Sequence, residues 1–190
     1  MKLLVKTGLF VLTLFLANAA IAQHRTFALN PDASRIGFGL NGTGHHVEGT
    51  FHVQSGSIDF DAASHSISGS IVVSAASGNS GEPSRDKKMN SEVLNTDQFA
   101  EIVFVPKSFQ GTLAPSGDSN IQVTGIFTLH GTPHDLTLLM HIHIDGANLT
   151  ATGQFVVPYV KWGLKDPSIL ILKVAKEVNI DLNLSGRVTP

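Results

Sequence analysis

The chain has 190 residues, 13 Lys and Arg against 15 Asp and Glu, a net charge of −2 and no cysteine. The absence of cysteine excludes disulfides, a thiolate metal site and a Cys nucleophile, and the slightly acidic balance argues against nucleic acid as a partner. Phenylalanine is frequent, with 11 residues against one Trp and one Tyr, so aromatic carbon comes with few polar handles.

Taken in order, Lys2 and Lys6 precede an apolar run over 9–16, and the segment closes on Ala20-Ile21-Ala22. This spacing predicts a secretory signal peptide over 1–22, cleaved after Ala22, since a membrane span needs about 18 or more apolar residues. No cysteine is available for lipid attachment, so the expected location is the periplasm or the exterior. Loss of Lys2 and Lys6 leaves 11 basic against 15 acidic side chains, a net charge of −4.

Residues 23–190 read as a single domain. A short strand over 26–29 is broken by Asn30-Pro31-Asp32, a turn in which Pro fixes φ and Asp can bond nearby backbone. Ile36, Phe38 and Leu40 alternate with small or polar residues. Asn41-Gly42-Thr43-Gly44 then turns the chain back through Val47, Gly49, Phe51 and Val53, a hairpin pattern. Ile58 and Phe60, then Ile67, Gly69, Ile71 and Val73, each face away from Ser and Asp, the signature of half-buried strands.

The stretch 84–104, SRDKKMNSEVLNTDQFAEIVF, breaks the strand pattern. Met89, Val93 and Leu94 form an apolar stripe, which predicts a short amphipathic helix over 84–94 of about three turns, with Pro83 and Ser84 at its start and Asn95-Thr96 at its end. Strand patterns resume at Ile102 and Phe104. Further arms carry Val123, Gly125, Phe127 and Leu129, then Leu136, Leu138, Met140, Ile142 and Ile144, then Leu149, Ala151, Gly153, Phe155 and Val157. Two closing runs are expected, over 169–174 and 178–184. Many short strands, one helix and no change of composition predict an all-β domain, and the in-strand glycines favour a coiled antiparallel barrel over a sandwich. The same glycines and Ala151, set between large residues on the inward rows, suggest space for a long aliphatic guest in a barrel of about eight strands.

Residues with chemical potential are few. His141 and His143 share a strand face, as do metal ligands, but lie opposite Met140, Ile142 and Ile144 and so read as an outward polar face. No metal site is assigned. No nucleophile elbow is present, Asp59 and Asp61 read as solvated alternates, and no catalytic residue is assigned. At the helix start, Arg85-Asp86-Lys87-Lys88 is suited to a phosphate or to tying the helix to its neighbours; both readings stay open.

Several blocks occur together. These are Phe51 with Gly56-Ser57-Ile58, the run Ser84-Arg85-Asp86-Lys87-Lys88-Met89 with Glu92-Val93-Leu94, and Glu101-Ile102-Val103-Phe104. Thr128-Leu129-His130-Gly131 and the run VPYVKWGLKDPS from Val157 to Ser168 follow. In this order they resemble the YceI-like family of exported bacterial proteins, with Asn90 and Ala100 departing from its usual residues. The resemblance implies a lipocalin-like extended barrel that is not an enzyme, and that encloses an isoprenoid-type lipid such as a quinone or prenyl diphosphate as ligand, with no cofactor. On that reading the lipid tail meets the inward row Phe38, Phe51, Phe127, Leu138, Met140 and Phe155. Met89 and Leu94 close the barrel from the helix, with Phe104 beside them. Arg85 and Lys88 are assigned to the head group, and Trp162 either lines the mouth or pins the loop in which it stands. The reading allows transient membrane contact and a dimer. Its rivals are an enzyme acting on a lipid or amide in the same cavity, and a metal-binding or docking module using the histidine face.

Overall fold

Strict alternation of apolar and polar side chains commits most of the chain to strands that are buried on one face. The computed structural model describes residues 24–190, so the signal peptide expected over 1–22 lies outside the described residues. The strands are β1 (His24–Leu29), β2 (Arg35–Gly42), β3 (His45–Phe51), β4 (Val53–Asp61), β5 (Ser66–Ser74), β6 (Glu101–Gln110), β7 (Gly117–Leu129), β8 (Thr132–Asp145), β9 (Asn148–Val157) and β10 (Val178–Thr189). All pair antiparallel. The ladder runs β1-β4-β5-β6-β7-β8-β9-β10, and β10 returns to β1.

Two long staves are each made of two strands. β10 pairs with β2 through residues 179–183 and with β1 through 186–189, so β1 and β2 form one interrupted stave beside it. The interruption is the 3-10 turn Pro31–Ala33, where the Asn30 side chain accepts from the Asp32 amide at 3.1 Å. β3 and β4 form the second stave, broken at His52. Counted this way, the barrel is a closed one of eight antiparallel staves.

The two ends differ. In the lower half, inward side chains fill the interior: Phe27, Phe60, Phe109, Ile121, Ile142 and Ile144 belong to one continuous buried cluster, and Ile144 is 2% exposed. Contrary to the expectation from their sequence pattern, Gly69, Gly125 and Gly153 do not leave space for a guest. Their missing side chains seat large neighbours: a Cβ on Gly125 would fall 2.7 Å from the Phe104 ring, and one on Gly153 would fall 2.6 Å from Met140 Sδ. Gly69, at φ +104, lies against the Ser57 carbonyl, where any side chain would clash.

In the upper half the sheet parts. Val53 pairs with Val73, but above it β3 has no strand neighbour on that side; the His52 carbonyl accepts from the Ser74 amide at 3.2 Å, its amide donates to Ser77 Oγ at 2.8 Å, and Thr50 and Asn79 exchange two hydrogen bonds of 2.9 Å. The segment after β5 and the helix occupy the opening. The helix starts one residue before Ser84, because Glu82, not Ser84, caps it by accepting from the Ser84 amide at 3.1 Å. An α-helical turn α1 (Pro83–Lys88) passes into a π-helical segment (Met89–Leu94), which Asn95 ends in the left-handed region at φ 47. In a π-helix i→i+5 bonds close each turn, so positions four and five apart flank the first. Met89, Val93 and Leu94 therefore share one face.

The expected closing run over 169–174 is not a strand. Ile169 and Leu172 exchange backbone hydrogen bonds of 3.0 and 2.7 Å around Leu170 and Ile171, forming a tight turn in the connection from β9 to β10.

Asp61 closes the β4–β5 turn. Its carboxylate accepts from the amides of Ser64 (2.8 Å) and Ala63 (2.9 Å), which holds its pKa below the ordinary 3.8. A folded-state pKa below the unfolded one gives stability that is present above 3.8 and lost as pH falls toward the lowered value. Asp61→Asn, which keeps an acceptor oxygen but cannot titrate, should flatten that acid-side loss in urea melts taken across this range. In the lower half, Ile144→Ala should cost about 2–5 kcal/mol by denaturant unfolding, as expected for a truncated, fully packed side chain.

Candidate functional site

Above the packed half lies a cavity of ≈ 490 Å³. Its walls are the upper ends of the strands: Ile36, Phe38 and Leu40 from β2, Ile102 and Phe104 from β6, Phe127 and Leu129 from β7. Leu136 and Leu138 of β8, Phe155 and Val157 of β9, and Ile180 and Leu182 of β10 complete the ring. These residues line it because period-two alternation carries the inward row of every strand past the top of the packed cluster. The vacancy follows from the parting of β3 and β5, which widens this end beyond what the ring of side chains fills.

The helix supplies the missing wall. Met89, Val93 and Leu94 face the cavity, and Leu94 packs in one cluster with Leu129, Val157, Tyr159 and Leu164, which joins the helix to the connection after β9. Lys165 Nζ donates to Glu92 Oε2 at 2.6 Å and clamps the same two segments. Tyr159 lines the cavity and donates its hydroxyl to the Ala175 carbonyl at 2.8 Å; burial, with Asp166 adding to it, pushes its pKa up to about 12, so the phenol stays protonated.

Charge at the mouth is of one sign. Arg85, Lys88, Lys173 and His45 line the cavity, and among the described residues no carboxylate does. Arg85 and Asp86 tie the helix to the preceding loop and not to a strand: Arg85 Nε donates to Ser80 Oγ at 2.8 Å and Nη2 to the Ser80 carbonyl at 2.9 Å. Asp86 accepts from the Ser80 amide at 2.9 Å and from the Ser80 hydroxyl. Arg85 is thus fixed in place and still faces the cavity.

Of the residues expected at a lipid tail, Phe38, Phe51, Met89, Leu94, Phe104, Phe127, Leu138 and Phe155 are brought together on this cavity, and Arg85 and Lys88 lie at its mouth. One position needs correction. Met140 is not on the wall: opposite Gly153 in the β8–β9 ladder, its thioether folds into the notch that glycine leaves and joins the packed lower half. Trp162 does not line the cavity, and of its two expected roles its contacts support the pinning of the loop. Its ring stacks on His134 with centroids 4.0 Å apart and planes at 7°, and it touches Phe127 at 5.9 Å, pinning the loop that follows β9. Burial lowers the His134 pKa, which favours the neutral ring in that stack.

Sequence reasoning missed Tyr159, Leu164, His45 and Lys173. The first two stand in the VPYVKWGLKDPS block and could have been suspected there, whereas His45 and Lys173 reach the mouth only because the β2–β3 turn meets the last loop. Thr43 makes that junction: its amide donates to the Lys173 carbonyl at 2.9 Å, and its hydroxyl accepts from the Lys173 amide at 2.8 Å.

The histidine face is open to solvent. His143 Nδ1 lies 2.8 Å from Asp118 and His141 Nε2 3.2 Å from the same carboxylate, which the His143 hydrogen bond holds below its ordinary range. Among the described residues no group of three or more His, Asp or Glu is arranged to hold a metal ion.

Comparison with known proteins places this geometry. The model of the YceI-like domain matches residues 27–186. The solved structure of BcnA from Burkholderia cenocepacia aligns with a TM-score of 0.66 at 22% identity, over 85% of this chain and 99% of that one. A polyisoprenoid-binding domain from Saccharophagus degradans, implicated in plant cell wall breakdown, aligns with a TM-score of 0.65 at 15% identity, over 86% of this chain and 98% of that one. The YceI protein of Campylobacter jejuni aligns with a TM-score of 0.57 at 18% identity, over 70% of this chain and 80% of that one. No curated protein matches by sequence. With a domain match that spans nearly all the described residues and a barrel shared with these structures, the chain belongs to the YceI-like family.

Proposed function

We propose that this protein is an exported lipid carrier that encloses a long isoprenoid-type amphiphile, its tail in the upper half of the barrel and an anionic or strongly polar head at Arg85 and Lys88. The observation that carries the reading is the combination of an apolar cavity of ≈ 490 Å³ with a mouth whose charged side chains are all basic. That volume falls within the roughly 300–1,000 Å³ of small-molecule sites. The polyisoprenoid-binding domain of Saccharophagus degradans has the same fold and supports the choice of ligand class. The pattern over 1–22 supports export to the periplasm or beyond.

Energetics suit a carrier. Burying roughly twenty methylene-like carbons contributes about 16 kcal/mol at about 0.8 each, and association and ordering subtract about 4–15. Affinity in the micromolar range or better therefore needs no covalent step.

Native mass spectrometry of protein purified from its own host should show one lipid per chain; a chain that carries none, and takes up none when offered a polyprenyl phosphate, overturns the proposal. Leu138→Trp should occupy the cavity and abolish uptake with little change in melting temperature. Met140→Trp, in the packed half, should instead destabilise by about 1–3 kcal/mol. Lys88→Ala should weaken a polyprenyl phosphate about ten- to a hundredfold, the loss of one charge-assisted bond of about 1.5–3 kcal/mol, and leave an uncharged polyprenol nearly unaffected. Isothermal titration with the pair of ligands separates these outcomes.

A further inference from the structure

The turn over 169–172 is built against the usual preferences of an exposed loop. Leu170 is 92% exposed and Ile171 85%, and Ile169 and Leu172 beside them are 54% and 53% exposed. Leu170 sits at φ 44, a conformation that turns ordinarily give to Gly, Asn or Asp. Neither the turn geometry nor the core explains two aliphatic side chains held out at its tip.

Its position is as telling as its composition. Ile169 and Leu172 line the cavity, so the outer tip adjoins its apolar lining. The neck is fastened: Thr43 bonds Lys173, Ala175 donates to the Asn41 carbonyl at 2.7 Å, and Ser168 Oγ accepts from the Val174 amide at 2.9 Å. Lys161, Lys173 and Lys176 stand exposed on the same connection, and among the described residues no carboxylate lies within 4.0 Å of the first two, while Lys176 has only Asp166 at 3.9 Å. An apolar tip flanked by lysines suits the interface of an anionic bilayer. Four small aliphatic side chains fall far short of the roughly 1,200 Å² that a stable protein interface buries.

We infer that the 169–172 turn is a membrane-docking tip: Leu170 and Ile171 enter the headgroup region of an anionic bilayer, the lysines hold its surface, and the cavity mouth is thereby set against the lipid. This rests on the carrier reading only for its purpose, since docking itself needs no bound ligand.

The test is cosedimentation of the mature chain with vesicles of phosphatidylglycerol and phosphatidylethanolamine in equal parts, and with phosphatidylcholine alone. Wild type should bind the anionic vesicles, less so in high salt. Leu170→Asp with Ile171→Asp should lower binding about tenfold or more, with the melting temperature and the titrated affinity for a polyprenyl phosphate unchanged. Lys161→Glu with Lys173→Glu should remove the preference for anionic vesicles. Equal vesicle binding by wild type and the Asp variant overturns the inference. So does a wild-type dimer in solution that the Asp variant converts to monomer, because the tip would then be a surface for a second copy. Vesicle binding by a protein that takes up no polyprenyl phosphate upholds the docking tip and removes the carrier reading instead.

Discussion

Above the Val53–Val73 pair the sheet loses one of its ladders, and the upper half of the molecule depends on how that gap is closed. A closed sheet satisfies its own backbone; an opened one leaves amides and carbonyls that need partners. Thr50 and Asn79 meet part of that need with a single bridge, the Ser77 hydroxyl and the Ser74 amide bond the backbone of His52, and a helix that carries its hydrogen bonds internally fills the opening. The covering is held by polar anchors at its edges, Ser80 with Arg85 and Asp86 on one side and Glu92 with Lys165 on the other. Its apolar face is consequently left turned inward, toward space.

This division explains why one barrel contains both a packed core and a cavity. Glycines on the inward rows are matched by neighbours that lie over them, Met140 over Gly153 and the Phe104 ring over Gly125, so below the gap interior volume is consumed at the density of an ordinary core. Above it, the ring of side chains is the same in kind but surrounds a wider circumference.

Much of this was legible in the residues. Alternation placed the strands from β2 to β9 close to their observed positions but ended the last one at 184, short of the part of β10, up to Thr189, that closes the barrel on β1; the stripe Met89, Val93 and Leu94 identified the helix and the face it buries, although the π-helical winding that makes the three residues coincide has no sequence signal of its own. What could not be read was three-dimensional matching. Gly153 and Met140 look like a small and a large residue on adjacent inward rows, which suits a cavity wall as well as a plug; only the register that sets them opposite one another decides. The run over 169–174 reads as a buried strand because short aliphatic runs carry no information about what covers them. Its partner on the β2–β3 turn lies some 130 residues away along the chain.

The packed lower half makes the cavity blind. A guest must leave by the end through which it came, and water displaced on loading must escape past it. On the carrier reading proposed above, an amphiphile enters tail first and its polar end stands nearest the basic side chains of the rim. On that reading, the depth from the basic rim to the packed side chains around Met140 sets how long a tail can be sheltered while its head still reaches Arg85 and Lys88.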